Sequence, residues 1–209
     1  SVTARQLLFY MLIHNVRSRE QIFADFWPEL SAQKAKTSFH TTKFRLNRAL
    51  GMDAIDFDGQ LYTLHPDLQV WFDVASFRAS LSAWRGTQDV DALERATALY
   101  SGDFLTDCYS DWCGVEREAL RMQCIEALEA LAERLLGRRQ YRRAVHALRQ
   151  ALTLDPNREA FHQQLMRAYA LSGERSTALA QYERCVTQLR EGLDATPSKT
   201  TVQLYRRIL

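Results

Sequence analysis

Apolar residues recur every three or four positions through the first fifty residues, a pattern that predicts three successive helices. The first covers Thr3 to Asn15. Thr3 and Gln6 have the spacing of a capping box, in which each side chain accepts a hydrogen bond from the other residue's backbone N–H. Ser18 and Gln21 repeat that spacing at the start of the second helix. The predicted inward faces of these two helices consist of Leu7, Leu8, Met11, Leu12, Ile22, Phe23, Phe26 and Trp27.

The third helix, Ser31 to Leu50, combines an apolar stripe with a local excess of positive charge. The stripe consists of Ala35, Phe39, Thr42, Leu46 and Ala49. The segment has no acidic residue, and its cations are Lys34, Lys36, Lys43, Arg45 and Arg48. A helix that is anchored on one face and cationic on the others suits a DNA groove. Taken alone, the same charges are also typical of a solvated surface helix that binds nothing.

Hydrophobic alternation between residues 55 and 64 predicts a β-hairpin after the basic helix. Asp58-Gly59 is a strong signal for a two-residue turn, because both turn positions need positive φ. That turn gives the pairs Ile55–Tyr62 and Phe57–Gln60. Three helices followed by a hairpin is the layout of a winged helix, whose third helix enters the major groove. A generic three-helix domain would share the apolar pattern but would not explain why the acid-free helix lies just before the hairpin.

From Asp73 onward the pattern is helical, and it contains a repeat. A long helix from about Cys113 to Leu136 precedes two helical hairpins. Ala144 and Ala178 stand 34 residues apart, the period of a tetratricopeptide repeat, in which a small residue lets two helices approach closely. The other positions that fit this repeat are Leu135, Leu148, Ala151, Pro156, Tyr169, Tyr182 and Cys185. We therefore predict a mainly α protein, with a winged-helix domain at 1–70 and an all-α, tetratricopeptide-like repeat domain at 71–209.

Composition narrows the class of function. The formal net charge of the 209 residues is only +2, so affinity for nucleic acid has to come from a local patch. No apolar run reaches membrane-spanning length, and the chain begins at Ser1 without a signal peptide, which favours a cytoplasmic fragment of a longer protein. The four cysteines have no C-x-x-C spacing and favour a reducing compartment. No nucleotide-binding, nucleophile or metal-ligand motif occurs, so we expect no enzyme activity, no metal and no cofactor.

Four arginines cluster at one predicted turn between helices. They are Arg138, Arg139, Arg142 and Arg143. A solvated rim is the plain interpretation of such a cluster. The alternative is that these side chains contact an acidic partner surface or DNA phosphates.

Several short sequence segments, in their order and spacing, carry a resemblance to a known family. They are RQLL at 5–8, SREQI at 18–22, FWP at 26–28, AKTSFH at 35–40, LNRAL at 46–50, WFDV at 71–74, YSGDFL at 100–105, ALTLDP at 151–156 and LYRRIL at 204–209. Over essentially its whole length, the chain resembles the SARP-type bacterial transcriptional activators, named for antibiotic-regulatory proteins. The resemblance implies a winged helix followed by a bacterial transcriptional activator domain, which would mediate self-association or contact RNA polymerase.

Three features depart from the pattern of that family. Its winged helix usually begins with a small antiparallel sheet, so the N-terminal sheet is expected to be missing from a chain that starts almost at the first helix. Asn47 stands where an arginine is common. The hairpin carries Asp56 and Asp58 and no cation. Carboxylates repel phosphates, so we expect the hairpin to add little DNA affinity.

The function predicted from these features is a DNA-binding transcriptional regulator, and by resemblance an activator, that reads the major groove of double-stranded DNA with helix 31–50. The residues expected to face DNA are Lys34, Lys36, Thr37, His40, Thr41, Lys43, Arg45, Asn47 and Arg48. Among them, the phosphate contacts are expected from Lys36, Lys43 and Arg45, and the base-edge contacts from His40, Thr41 and Asn47.

The expected protein partners are RNA polymerase or a second copy of the chain, bound as a dimer on direct repeats, since a single winged helix buries little surface. Two alternatives remain open. One is a protein-interaction scaffold with weak or no DNA binding. The other is the output module of a larger signal-responsive regulator, with additional regulatory domains elsewhere in a longer chain.

Overall fold

Ten helices and one three-stranded sheet make up the regular structure of residues 1–209, all of which the computed structural model describes. The elements in chain order are α1 (Val2–His14), β1 (Val16–Ser18), α2 (Arg19–Phe26), α3 (Ala32–Leu50), β2 (Ile55–Phe57), β3 (Leu61–Leu64), α4 (Asp73–Thr87), α5 (Val90–Leu99), α6 (Asp111–Gly137), α7 (Tyr141–Leu154), α8 (Glu159–Leu171), α9 (Arg175–Leu193) and α10 (Lys199–Ile208). The prediction of a mainly α fold is confirmed. The residues divide into two units, the first formed by Ser1–Ser76 with Asp103–Glu118 and the second by Phe77–Gly102 with Ala119–Leu209.

In the first unit, the apolar faces of α1, α2 and α3 form one core. Its centre includes Leu7, Met11, Ile22, Phe39 and Leu46, each of which is at most 3% exposed. The predicted stripe of α3 is confirmed at 35, 39, 42 and 46. Ala49 is exposed, contrary to the prediction, because the buried stripe ends one turn earlier, at Leu46.

The two predicted capping boxes differ in outcome. At α2 the box is present: the Gln21 N–H donates to Ser18 Oγ at 3.2 Å, and the Ser18 N–H donates to Gln21 Oε1 at 2.9 Å. At α1 the prediction is wrong, because the helix begins at Val2 and places Thr3 inside its first turn. The buried face of α1 also differs from the predicted one and consists of Ala4, Leu7, Tyr10 and Met11.

The sheet has the strand order β1-β3-β2, with both pairs antiparallel. The hairpin is confirmed, but its register is shifted: Phe57 pairs with Tyr62, and Ile55 pairs with Leu64. The turn is longer than predicted because the Asp58 carboxylate accepts hydrogen bonds from the N–H groups of Gln60 and Leu61, at 2.9 and 2.8 Å. A shift of two residues keeps the same side chains on the same face of the hairpin. On that face Ile55 and Tyr62 are buried, whereas Phe57 is exposed.

Residues 103–118 pack in the first unit, although they belong to the predicted second domain, 71–209. Trp112 lies in the core, with its ring centroid 5.1 Å from that of Tyr10 and 5.8 Å from that of Phe26. The Arg117 guanidinium holds the preceding loop by donating to three backbone carbonyls. These belong to Phe104 at 2.8 Å, Leu105 at 2.6 Å and Cys108 at 2.9 Å.

In the second unit, α7 packs against α8, α8 packs against α9, and α10 contacts both α8 and α9. Ala144 and Ala178, at the predicted repeat positions, are fully buried, as are Leu148, Ala151 and Cys185. Tyr182 is half-buried and stacks on Tyr205, with ring centroids 4.2 Å apart. The small residues therefore lie where the helices approach one another, as the 34-residue period predicts.

A buried histidine links α8 to α9 in this unit. His162 is 2% exposed, and its Nε2 lies 2.9 Å from the backbone carbonyl of Pro156. A carbonyl can only accept, so Nε2 carries the proton and Nδ1 accepts from the Gln181 amide at 2.8 Å. Burial lowers the pKa of His162 below its ordinary value of 6.5, and this outweighs the Pro156 carbonyl and the Glu159 carboxylate, which favour the charged ring.

Replacing Arg117 with alanine should destabilise the first unit by about 2–4 kcal/mol, because three carbonyl oxygens lose a charged donor. Urea unfolding followed by tryptophan fluorescence measures this, since Trp27, Trp71 and Trp112 all lie in that unit. The exposed Arg167, which makes no side-chain hydrogen bond, provides the matched control, Arg167→Ala. Equal stability of the two variants would show that Arg117 does not hold the loop.

His162 should make the second unit lose stability as the pH falls below about 6.5. The folded state holds the ring neutral, so between its lowered pKa and 6.5 the unfolded chain binds more protons, and stability rises with pH across that window. Thermal melts between pH 5 and 7.5 measure the slope. His162→Gln should flatten it, and the exposed His146→Gln should leave it unchanged. An identical slope in both variants would contradict this assignment.

Candidate nucleic-acid interface

Burial of one side of α3 determines which residues face outward. The buried residues Ala35, Phe39, Thr42 and Leu46 follow the spacing i, i+4, i+7, i+11. The residue two positions after each of these buried residues lies about 200° further around the helix, and therefore on its opposite side. The resulting outward row consists of Thr37, Thr41, Phe44 and Arg48, all of them exposed. We refer to these four residues as the outward row.

The cations of α3 have no partners. Lys34, Lys36, Arg45 and Arg48 are exposed and Lys43 is half-buried, and none of the five side chains forms an ion pair or a hydrogen bond. Several arginines elsewhere in the chain do have partners: Arg143 pairs with Glu94, and Arg158 pairs with Glu129 at 2.6 Å. The helix therefore presents uncompensated positive charge, in a protein whose formal net charge is only +2.

The cations also form two rows, one on each side of the outward row. Lys36 and Lys43 are seven residues apart and share one side of the helix. Lys34 and Arg45 are eleven residues apart and share the other side. Since the two phosphate backbones wall the major groove, a helix lying in it can meet phosphates along both of its sides.

Asn47 is engaged within the protein. Its side-chain Nδ2 donates to Asp53 Oδ1 at 2.5 Å, and its Oδ1 accepts from the Ala54 N–H at 3.0 Å. Its backbone carbonyl also accepts from the N–H groups of Gly51 and Met52. The asparagine thus holds the loop between α3 and β2 in place. This role depends on its side-chain amide, which can both donate and accept a hydrogen bond.

The remaining polar residues predicted to face DNA differ in what they offer. The hydroxyls of Thr37 and Thr41 donate to the backbone carbonyls four residues earlier, at 3.1 and 3.0 Å. His40 is exposed, and its ring is tilted by 59° relative to that of Phe39, with centroids 5.7 Å apart. Of the three predicted base-reading residues, His40 is the one whose polar atoms are not used inside the protein.

The hairpin presents negative charge and apolar surface. Hydrogen bonds from the backbone N–H groups of Leu61 and Gln60 hold the pKa of Asp58 below its usual range, so this carboxylate stays ionised. Phe57 and Leu61 are exposed beside it, Phe57 by 47%. No Lys or Arg occurs between residues 55 and 64.

Among the exposed residues of α3 that are absent from the predicted set are Gln33, in the first turn, and Phe44, in the outward row. Phe44 is 65% exposed. The helical spacing that places Thr37 and Thr41 outward also places Phe44 there, three residues after Thr41. That spacing was available in the sequence, but an aromatic residue is ordinarily assigned to a core.

The four arginines of the second unit are brought together at the turn between α6 and α7. Arg138, Arg139 and Arg142 are exposed and their side chains have no partner, whereas Arg143 also donates to Gln140 at 2.8 Å. Three of these arginines line a shallow depression of about 520 Å³ that reaches Leu171 and Ser172. Its charge would suit an acidic ligand.

Together these features define a class of protein: a winged-helix unit with an uncompensated cationic helix, combined with a unit of tetratricopeptide-like helices. Residues 70–209 match the family model of the bacterial transcriptional activator domain, so the chain belongs to that family. The resemblance to the SARP-type regulators is confirmed, and the family is one of transcriptional regulators rather than enzymes. None of the ten helices is long and apolar enough to cross a membrane.

The fold is similar to that of Mycobacterium tuberculosis EmbR, which was solved in complex with a low affinity phosphopeptide. The TM-score is 0.69 at 24% sequence identity, a similarity that bears on the fold alone. The match covers 100% of this chain but 59% of the EmbR chain, so this chain spans less than two thirds of that protein. No curated protein sequence matches the chain.

Replacing Asn47 with alanine should lower the stability of the first unit by about 1–2 kcal/mol, because the Ala54 N–H and the Asp53 carboxylate both lose a partner. Urea unfolding measures this, with the exposed Gln33→Ala in the same helix as the control. Unchanged stability combined with lost DNA binding would instead assign the Asn47 amide to DNA.

Proposed function

We propose that this chain is a DNA-binding transcriptional regulator that inserts α3 into the major groove. The observation that carries the proposal is the set of five cations on α3, none of which has a partner within the protein. Their two rows would meet phosphates of the two strands, and the outward row would face the base edges. His40 is the base-reading residue that the geometry favours. Asn47 has no part in base reading in this proposal, because its amide closes the loop to β2.

The hairpin contributes little to DNA affinity in this proposal. Asp58 keeps its negative charge because the turn depends on its carboxylate, and no cation in the hairpin offsets that charge. A carboxylate near a phosphate is repelled. Affinity would therefore depend on α3 more heavily than in a winged helix whose hairpin is basic.

The helical unit would supply protein contacts, either with a second copy of the chain or with RNA polymerase, and the regulator would act as an activator in the cytoplasm. Membership of the bacterial transcriptional activator domain family supports this role. Repeat helices stack into surfaces that bind proteins. The partnerless arginines at 138, 139 and 142 are the surface we favour for an acidic partner. Additional regulatory domains in a longer chain fit the 59% coverage of the EmbR chain.

A second candidate function is a protein-interaction scaffold that binds DNA weakly or not at all. The negative hairpin favours it, because a winged helix ordinarily uses its hairpin on the DNA backbone. A scaffold role does not explain why α3 carries five cations and no acidic residue. We therefore rank DNA binding first.

Selection of random duplex DNA by the chain at low salt tests the proposal. The variant Lys36→Ala/Lys43→Ala should lose the enriched motif. The control Lys199→Ala/Arg207→Ala removes the same net charge from exposed positions on α10 and should keep the motif. Loss of DNA binding in both variants would mean that the binding depends on the net charge of the protein and not on α3.

The salt dependence of binding provides a quantitative test. With about four phosphate contacts, a plot of log affinity against log salt concentration should have a slope of about −4, and removal of two contacts should reduce it to about −2. Fluorescence anisotropy on the selected duplex measures both slopes. Absence of any measurable binding at low salt would overturn the proposal in favour of the scaffold.

A further inference from the structure

We propose that the outward row of α3 reads thymine by its 5-methyl group, through Phe44 with Thr37 and Thr41. This inference rests on the proposed function, since it requires α3 to lie in the major groove. It goes beyond that function by naming the chemical group that is read and by adding a residue, Phe44, that the sequence pattern did not assign to DNA.

Phe44 is an exposed aromatic side chain with no partner. The residue is 65% exposed, and it makes neither an aromatic nor a cation–π contact, whereas eleven of the other thirteen phenylalanine, tyrosine and tryptophan side chains of the first unit contact at least one aromatic ring. Leaving a phenylalanine in water forgoes the favourable transfer of its apolar surface. A ligand that covers it with apolar groups gains that free energy, so Phe44 is suited to a ligand with an apolar feature.

The two threonines extend this apolar surface along the same row. Each has its only hydroxyl hydrogen directed at a carbonyl four residues earlier in the helix, Thr37 at 3.1 Å and Thr41 at 3.0 Å. A hydroxyl held this way does not donate to a base, although its oxygen can still accept, and the Cγ2 methyl is the apolar group that each threonine adds to the row. Three successive members of the outward row therefore present apolar groups, although the helix as a whole is cationic.

The charges on either side identify the ligand as DNA. Lys36 and Lys43 flank the row on one side, and Lys34 and Arg45 flank it on the other, all without partners. A protein surface that matched this pattern would need an apolar strip between two acidic rows. The major groove already has that arrangement, because phosphates line its two edges and the C5-methyl of thymine is its apolar feature.

The consequence is a particular kind of specificity. A row of apolar groups does not distinguish guanine from adenine by hydrogen bonds, but it does distinguish thymine from cytosine by one methyl group. We therefore expect the selected DNA to contain thymines at neighbouring base pairs facing the middle of α3, with any hydrogen-bonded base read by His40 beside them.

The test uses the duplex that the wild-type chain selects and replaces each thymine in turn with deoxyuridine, which removes the methyl group and nothing else. At a contacted position, wild-type affinity should fall about four-fold, the equivalent of one buried methyl group. Phe44→Ala should bind the thymine duplex more weakly and should be insensitive to deoxyuridine at the position that Phe44 contacts. Phe44→Leu, which keeps an apolar side chain, should retain the sensitivity.

Deoxyuridine in place of a thymine outside the selected motif is the control on the DNA. Gln33→Ala, at another exposed position of α3, is the control on the protein. If the wild type selects a motif but is insensitive to deoxyuridine throughout it, methyl reading is wrong and DNA binding stands. If Phe44→Ala keeps the full sensitivity at every position, Phe44 is not the reader. If the wild type selects no DNA, the inference and the proposed function both fail.

Discussion

The burial of one side of α3 is the constraint on which the rest of the first unit depends. Phe39 and Leu46 lie in the same core as Leu7, Met11 and Ile22, and that packing leaves the helix one orientation about its axis. Rotation by a single residue, about 100°, would bury a cation or expose Phe39. The position of every candidate DNA contact therefore follows from a hydrophobic interaction on the opposite side of the helix.

Several arginines of the second unit make hydrogen bonds or ion pairs within the protein. The arginines at 121, 134, 143, 149 and 158 each donate to a backbone carbonyl, a glutamine, a carboxylate or a tyrosine hydroxyl within the second unit. Their guanidinium groups thus serve the structure. The five cations of α3 make no ion pair or hydrogen bond within the protein, and the helix that carries them has no acidic residue. Since Arg138, Arg139 and Arg142 also lack partners, it is the two rows of cations on either side of the outward row that make α3 the candidate interface.

Local patterns in the sequence were enough to predict the elements that depend on local periodicity. The stripe of α3, the Ser18 capping box and the spacing of Ala144 and Ala178 all repeat within a helix or a hairpin of helices, and the structure has them where expected. The turn at Asp58 was predicted too short, because the Asp58 carboxylate accepts from the N–H groups of Gln60 and Leu61, and the first strand pair is Phe57 with Tyr62. Strand β1 has only three residues and is stabilised by pairing with β3, about 45 residues later. No local sequence pattern therefore predicts it.

Features that depend on contacts between distant residues were beyond a reading of the sequence. Nothing in residues 103–118 indicates that Trp112 would enter a core built by residues 1–76, because that placement is decided by packing against Tyr10 and Phe26. The same holds for Asn47, whose role emerges only when the α3–β2 connection brings Asp53 and Ala54 to its amide.

In the proposed mode of DNA binding, different groups of α3 supply affinity and specificity. Charged rows gain free energy by releasing counterions from DNA, a contribution that every sequence provides equally and that salt weakens. Apolar contacts with thymine methyl groups depend on the sequence and respond little to salt, since they exclude water rather than exchange ions. A protein with a repelling hairpin and a modest net charge has limited non-specific affinity in the first place. In the proposed complex, discrimination between DNA sites depends chiefly on the middle of α3, where Phe44 lies between the two rows of cations.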